Sequence, residues 1–402
     1  MSLCRWLIEI NILSCVRPPI SFMNPRVSII VTVYKRTEYL AEALESAFAQ
    51  SYRDFEIIVV DDSGTAAAKN IVTACGHAEQ VKCLPNPKTL GVALSIVRAV
   101  EHARGDFIAI LNDDDIWESD LLAELVAPLE ADPSCVLATS DHWIMDTGGR
   151  IDVGLSESWS LDFGRASLPK GIVTNAAEFA VVKGGPAINI TSVFRKDVVD
   201  WSLLVPEVSG AYDYWISCLL AATGRPIYYV PKRLARWRVH VEMETRRRSH
   251  DKGEDLIYIF ATLREQGWFP ELGSAIRAKL AESLFAAGRN KLHFGHSREA
   301  RRHFWRSFLV GFRPLALAGV VGTFLPRSLR IWLLTHIRSG GKTSAPESPD
   351  QELHILNNRP AGSARRGKKR AATMGAESEV QRPATARRES ASQSDSLPQV
   401  RP

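Results

Sequence analysis

The stretch Ala103-Arg-Gly-Asp-Phe-Ile-Ala-Ile-Leu-Asn-Asp-Asp-Asp-Ile-Trp117 decides how this chain reads. Phe107 to Leu111 is a short, uninterrupted apolar run, the mark of a buried strand. It ends in Asn112 and three consecutive carboxylates, Asp113, Asp114 and Asp115. Adjacent carboxylates repel one another and are costly to hold unless a cation neutralises them. Hard divalent ions such as Mg²⁺ or Mn²⁺ prefer carboxylate and phosphate oxygens, and they leave coordination positions open for a substrate diphosphate. A solvated acidic turn capping a helix near Asp120 is the plainer account of this run taken alone.

The neighbouring segments favour the metal account. Upstream, Val27-Ser-Ile-Ile-Val-Thr-Val33 is a strand rich in β-branched residues, and Phe55-Glu-Ile-Ile-Val-Val60 is a second that ends in Asp61-Asp62. Helical spacing of apolar residues follows each of them, at Leu40, Ala43, Leu44, Ala47 and Phe48, and again at 66–74. A third strand is expected at 81–84, helices at 90–103 and 120–130, and a fifth strand at 136–139. Strands alternating with helices imply βαβ units, hence an α/β fold with a mainly parallel sheet and helices on both faces. Ligands of such sheets bind at the carboxyl ends of the strands. Three of those ends carry polar groups here: Tyr34, Asp61-Asp62 and Asp113 to Asp115. For Asp61 and Asp62 the plainer account is a turn with a helix N-cap.

Composition bounds the rest. Of 402 residues, 45% are apolar and 24% charged, enough to bury a full core. The net charge of +5 lies in the tail: from Arg338 onward there are 12 Lys/Arg against 7 Asp/Glu, leaving the first 337 residues balanced at 38 against 38. A neutral body argues against a nucleic-acid partner. The six cysteines form no CxxC pair, which fits a reducing cytoplasm better than a zinc or disulfide framework.

Four regions are expected: an N-terminal extension at 1–24, read as an upstream start rather than a signal peptide; the α/β domain at 25–245; a helical region at 246–338; and a disordered basic tail at 339–402. Within the domain, 148–167 reads as loop, 189–194 and 226–230 as strands, and 237–240 as a closing segment. The most apolar stretch, 308–325, contains Arg313 and Pro314 and falls short of the ~20 residues that span a bilayer. It reads either as a core helix hairpin or, given Trp305, Phe308, Phe312 and Trp332 beside arginines, as a segment docking on an anionic membrane surface.

The strings Val27–Arg36, Ser46–Asp62 and Ala103–Trp117, in this order and spacing, resemble the family 2 glycosyltransferases over about Pro25 to His240. The resemblance implies the GT-A fold, Rossmann-like with a mainly parallel sheet, and a nucleotide-sugar donor linked to UDP, GDP or dTDP. It places Thr32 and Tyr34 in the base pocket, Asp62 on the base with Asp61 beside it, and Asp113 near the ribose. Asp114 falls on the last acid of the DxD motif as metal ligand, with Asp115 adjacent. His240, in Trp237-Arg-Val-His240, falls on the segment that approaches the diphosphate or metal, and Asp213, in Ala211-Tyr-Asp-Tyr-Trp215, on the catalytic base. An acid opening a helix also suits the helix dipole, and His240 also suits a core position.

Two positions depart from the pattern. Asn112 stands where the first acid of the motif is expected, and Ser95-Ile96-Val97 stands for an Ala-Arg-Asn triplet, with Lys88 or Arg98 as substitutes for the missing base. These departures motivate the alternative of a nucleotide-sugar-binding scaffold without turnover. The enzyme reading is an inverting, Mn²⁺- or Mg²⁺-dependent transfer to a saccharide or lipid-linked acceptor in cell-surface polysaccharide or glycolipid assembly. It places the protein in the cytoplasm, peripheral on the inner face of the plasma membrane. No glycine-rich loop follows the first strand, which disfavours nucleotidyltransferases and dinucleotide-binding dehydrogenases.

Overall fold

In the computed structural model, the described residues are 24–35, 37–65, 67–76, 78–186, 189–240, 253–326 and 329. Residues 1–23 of the N-terminal extension, the tail and Trp332 lie outside them.

Strands β1 (Val27–Val33), β2 (Phe55–Asp61), β3 (Val81–Pro85) and β4 (Phe107–Asn112) form the parallel half of the sheet in the order β3-β2-β1-β4. Helices α1 (Leu40–Phe48), α2 (Ala67–Ala74) and α3 (Val92–Glu101) make the crossovers. The register is flush at the carboxyl edge: Thr32 lies between Val60 and Asn112, and Val33 lies opposite Asp61. Strand periodicity then sorts the apolar residues by face. Ile30, Ile58, Ile108 and Ile110 share one core with Ala93 and Ile96 of α3. Ile29, Val31, Val59 and Leu111 share the opposite core with Leu40 and Leu44 of α1.

The second half comprises β5 (Ile116–Trp117), α4 (Leu121–Ala131), β6 (Leu137–Met145), β7 (Ile151–Asp152), α5 (Val153–Asp162), β8 (Gly171–Ile172), β9 (Ser192–Arg195), α6 (Tyr212–Ala222) and β10 (Ile227–Arg238). The sheet continues β4-β9-β6-β10-β5. β9 is antiparallel to both β4 and β6, and β10 is parallel to β6. With β9 inverted between them, β4 and β6 run the same way, and the end of β6 reaches the edge where the acids of β2 and β4 stand.

Four expected segments differ in the fold. The stretch 148–167 contains α5, whose N-cap Asp152 accepts a hydrogen bond from the Leu155 N–H at 2.9 Å. The strand expected at 136–139 runs on to Met145, and 226–230 joins 237–240 in one strand that ends at Arg238 and passes through register shifts between Val230 and Ala235. The strand expected at 189–194 opens as a 3₁₀ turn at Asn189–Thr191.

Helices follow in the C-terminal region: α7 (Glu254–Gln266), α8 (Gly273–His293), α9 (Ser297–Gly311) and α10 (Pro314–Gly322). Ile257, Phe260 and Leu263 of α7, with Leu280 and Leu284 of α8, join the core that holds Trp215 and Ile216 of α6. α9 and α10 form a hairpin around Phe304. A methyl group on Gly288 would come within 2.8 Å of the Phe304 ring, and one on Gly319 within 2.7 Å. Among the described residues no helix is long and apolar enough to cross a membrane.

Candidate active site

At the end of β2, Asp61 accepts hydrogen bonds from the N–H groups of Ser63 (2.9 Å) and Ala68 (3.3 Å), the latter in the first turn of α2. Asp62 accepts from Asn86 Nδ2 (2.7 Å) and from the N–H groups of Leu90 (2.7 Å) and Gly91 (2.9 Å). Its carboxylate thus gathers the loop 86–91 against the sheet edge. Gly91 has φ of +84°, a left-handed conformation that suits glycine at the start of α3. Arg98, one of the two candidate replacements for the missing base, bonds to Asn86 Oδ1 and Pro85 O. It serves this same loop, whereas Lys88 is exposed.

At the end of β1, Thr32 is the next-to-last residue of the strand. The Tyr34 N–H donates to Asp113 Oδ2 at 3.3 Å, joining the ends of β1 and β4. Lys35 has φ of +60°, a costly conformation for a non-glycine residue that recurs at ligand sites.

The turn after β4 divides its carboxylates between two duties. Asp114 Oδ2 lies 2.8 Å from His240 Nε2. Asp115, expected beside it as a metal ligand, is fully buried and accepts from the Arg238 N–H (2.8 Å) and from Asn112 Nδ2 (2.9 Å). Burial, and then the charge of Asp114, push the Asp115 carboxyl well above the usual carboxylate range. Asp115 therefore braces the turn. Asn112 belongs to the same brace, since its Oδ1 accepts from the Tyr212 hydroxyl at 3.0 Å.

That bond ties α6 to the turn. Asp213 sits in the first turn of α6, where its Oδ1 accepts from the Tyr214 N–H at 2.8 Å. Desolvation raises its carboxyl to about 7 against the lowering effect of backbone hydrogen bonds and of Arg165. The Tyr212 phenol is pushed well above its ordinary value, first by burial and then by the charges of Asp213, Asp115, Asp114 and Asp113. One side chain thus feels the acids of both elements. Asp61 and Asp62 stand at the end of β2, across β1 from this turn.

Several residues here escaped the sequence reading. Arg238, fully buried, donates from Nε to Asp114 O (2.9 Å), from one terminal nitrogen to Thr147 O (3.1 Å) and from the other to Glu42 (2.6 Å), and it stacks over Tyr39. It holds the acidic turn from behind; its place two residues before His240 was the available signal. A second polar cluster lies on β6. Arg165 bonds to Asp141 (3.4 Å), to His142 Nδ1 (2.7 Å) and to Gly185 O (2.7 Å from Nε), and Ser160 donates to Asp141 at 2.5 Å. Burial alone would raise Asp141, but its neighbours His142, Arg165 and Ser160 outweigh it and hold the carboxyl below its usual range. Burial lowers His142 to about 4, leaving a neutral ring. No spacing in the sequence links these residues.

Among the described residues, no group of three or more His, Cys, Asp or Glu is arranged to hold a metal ion. Asp114 and His240 together provide a hard carboxylate and an imidazole, a donor set that suits Mn²⁺ or Mg²⁺ when phosphate oxygens complete the shell.

The strand order and the acids at its carboxyl edge define a GT-A fold, and known structures share it. The chain superposes on Staphylococcus aureus TarS 1–349 in complex with UDP with a TM-score of 0.53 at 16% identity, over 79% of this chain and 93% of that one. It superposes on the UDP-GlcNAc complex of the same protein with a TM-score of 0.53 at 17% identity, over 77% and 92%. Residues 28–182 match the family model "Glycosyl transferase family 2", so that segment is similar to the family 2 glycosyltransferases. Its relatives include the putative glycosyltransferase EpsE of Bacillus subtilis, 28% identical over 42% of this chain and 63% of EpsE. Another is the Escherichia coli UDP-Glc:alpha-D-GlcNAc-diphosphoundecaprenol beta-1,3-glucosyltransferase WfaP, 30% identical over 26% of this chain and 42% of WfaP. The chain therefore spans less than two thirds of the length of these curated relatives.

Proposed function

We propose that this protein is a glycosyltransferase of polysaccharide or glycolipid assembly, transferring a sugar from a nucleotide-sugar donor to an acceptor hydroxyl with inversion and with the help of a divalent ion. The observation that carries the reading is the meeting of two acidic elements at Tyr212: the Asp113–Asp115 turn and Asp213, the first bonded through Asn112 to the phenol and the second next to it in sequence. Relatives and structural neighbours support it, with UDP and UDP-GlcNAc bound in TarS and a diphosphoundecaprenol-linked acceptor named for WfaP.

In this reading the base and ribose lie along the strand ends, against Thr32, Tyr34, Asp62 and Asp113. Asp62 keeps capacity for one more bond on Oδ2, which accepts only from Gly91 among the hydrogen bonds described. Asp114 and His240 would hold Mn²⁺ or Mg²⁺. When bound, the ion supplies Lewis-acid stabilisation of the charge that develops on the leaving diphosphate. Arg238 and Asp115 keep the turn in place. Asp213 takes the proton from the acceptor hydroxyl as that oxygen attacks the anomeric carbon, and a desolvated carboxyl near neutrality is suited to the task. The reaction is a single displacement on the face opposite the leaving group, hence the inversion. The acceptor is a saccharide or a lipid-linked saccharide, and the protein works at the inner face of the membrane.

Asn112, one of the two motives for the scaffold alternative, bonds to Asp115 and Tyr212, which gives it a part in bracing the turn. A donor screen with UDP-, GDP- and dTDP-sugars tests the proposal: released nucleoside diphosphate is measured with a cell-envelope lipid extract as acceptor, with Mn²⁺ and with a chelator. One donor should be turned over, and only with the metal. Metal-dependent binding of a donor without release from any would favour the scaffold.

A further inference from the structure

We propose that the outward face of α9 and α10 is a docking surface for an anionic lipid bilayer. The inference stands apart from the transfer chemistry. Seven of the twelve exposed large apolar side chains among the described residues fall between Trp305 and Phe324, so they are concentrated on one hairpin and not scattered as on an ordinary surface.

The packing needs of this hairpin are met on its other side. α9 turns Ala300, Phe304 and Ser307 inward, Phe304 lies between Gly288 and Gly319, and the Ser307 hydroxyl donates to Ala281 O at 2.6 Å. Outward at i, i+4 and i+7 stand Trp305, Leu309 and Phe312, which are 48%, 56% and 76% exposed. On α10 and just past it, Leu315, Val321 and Phe324 are exposed as well. A surface helix normally reserves this face for polar groups.

Charge selects the occupant. Arg298, Arg302 and Arg306, at i, i+4 and i+8, are exposed along the same outward stripe. Among the described residues none of the three has an acidic partner, and Glu299, the one acid of α9, lies beside Lys291 and His296. Aromatic and aliphatic side chains interleaved with uncompensated arginines match the boundary between headgroups and acyl chains of an anionic leaflet: rings enter the boundary, guanidinium groups meet phosphates. A twofold contact between two copies would set this arginine stripe against itself. α9 and α10 are too short to span, so the fit is shallow and reversible.

Co-sedimentation of the full-length chain with vesicles tests this. Binding to phosphatidylglycerol/phosphatidylcholine vesicles should exceed binding to pure phosphatidylcholine at least tenfold. It should fall at least tenfold in Leu309→Ser/Phe312→Ser and in Arg302→Glu/Arg306→Glu, both keeping the wild-type circular dichroism and thermal transition. Absent binding by the wild type overturns the proposal. So does undiminished binding by both variants, which would assign attachment to the basic tail, and so does a wild-type dimer that Leu309→Ser/Phe312→Ser converts to monomer. Should a variant lose its fold, brominated lipid gives a second reading: it must quench wild-type fluorescence more than that of Trp305→Phe, and equal quenching refutes the docking.

Discussion

Asp213 shows how a residue's surroundings set its chemistry. The sequence marked it as an acid at the start of a helix, a position where the dipole would favour the charged form. In the fold, desolvation dominates and brings the carboxyl to about 7. A base works as the carboxylate, so kcat/KM should fall about tenfold per pH unit below about 7 and level off above it. The limb should be missing from Asp213→Asn, which should lose about 10²–10⁴-fold in kcat; a pH–rate profile of both proteins checks this. The pairing of Asp114 with His240 was legible because both fall in strings with family counterparts, and the fold brings them within 2.8 Å. Asp115 was not, because three identical carboxylates in a row carry no sign of which one turns inward. Asp115 owes its position to the Arg238 N–H, 123 residues away along the chain. Asp114→Ala and His240→Ala should each raise the Mn²⁺ concentration needed for half-maximal activity or abolish the metal response, as a metal titration would show.

At the scale of elements, β1, β2 and β4 were plain because each is an apolar run closed by a polar residue at the sheet edge. The sequence shows β6 only as far as Thr139, because Asp141 and His142 look like a strand's end. They remain inside it because Ser160 and Arg165 bond to Asp141 there and Arg165 bonds to His142 Nδ1. α5 is silent in the sequence because its inward residues are Ser156 and Ser160, so it shows no apolar period. These elements carry their own predictions. Arg238→Ala should cost about 3 kcal/mol in denaturant unfolding, since it strips buried partners from Asp114 O and Thr147 O. Gly185→Ala should cost about 1–3 kcal/mol and lower activity, because its new methyl would lie 1.9 Å from Phe179 while Arg165 holds the Gly185 carbonyl.

At the scale of the molecule, the sheet brings to one edge groups that lie far apart in the chain: Thr32, Asp62, Asp114, Asp213 and His240. A parallel sheet does this because its strand ends are flush, and the inverted β9 returns β6 to the same direction. The helices from α7 onward extend that body, since α7 and α8 share the core of α6. The described core ends with Ala316, well before Ala345. A chain ending at Ala345 should therefore melt within a degree or two of the full chain, which calorimetry can check.

The division of labour among these acids is tested most directly by titrating a turned-over donor into Asp213→Asn and Asp114→Ala with Mn²⁺ present, beside a transfer assay of each. Asp213→Asn should bind the donor within about threefold of the wild type and yet fail to transfer, whereas Asp114→Ala should lose metal-dependent binding. Full transfer by Asp213→Asn, or unchanged Mn²⁺-dependent binding by Asp114→Ala, would contradict the account.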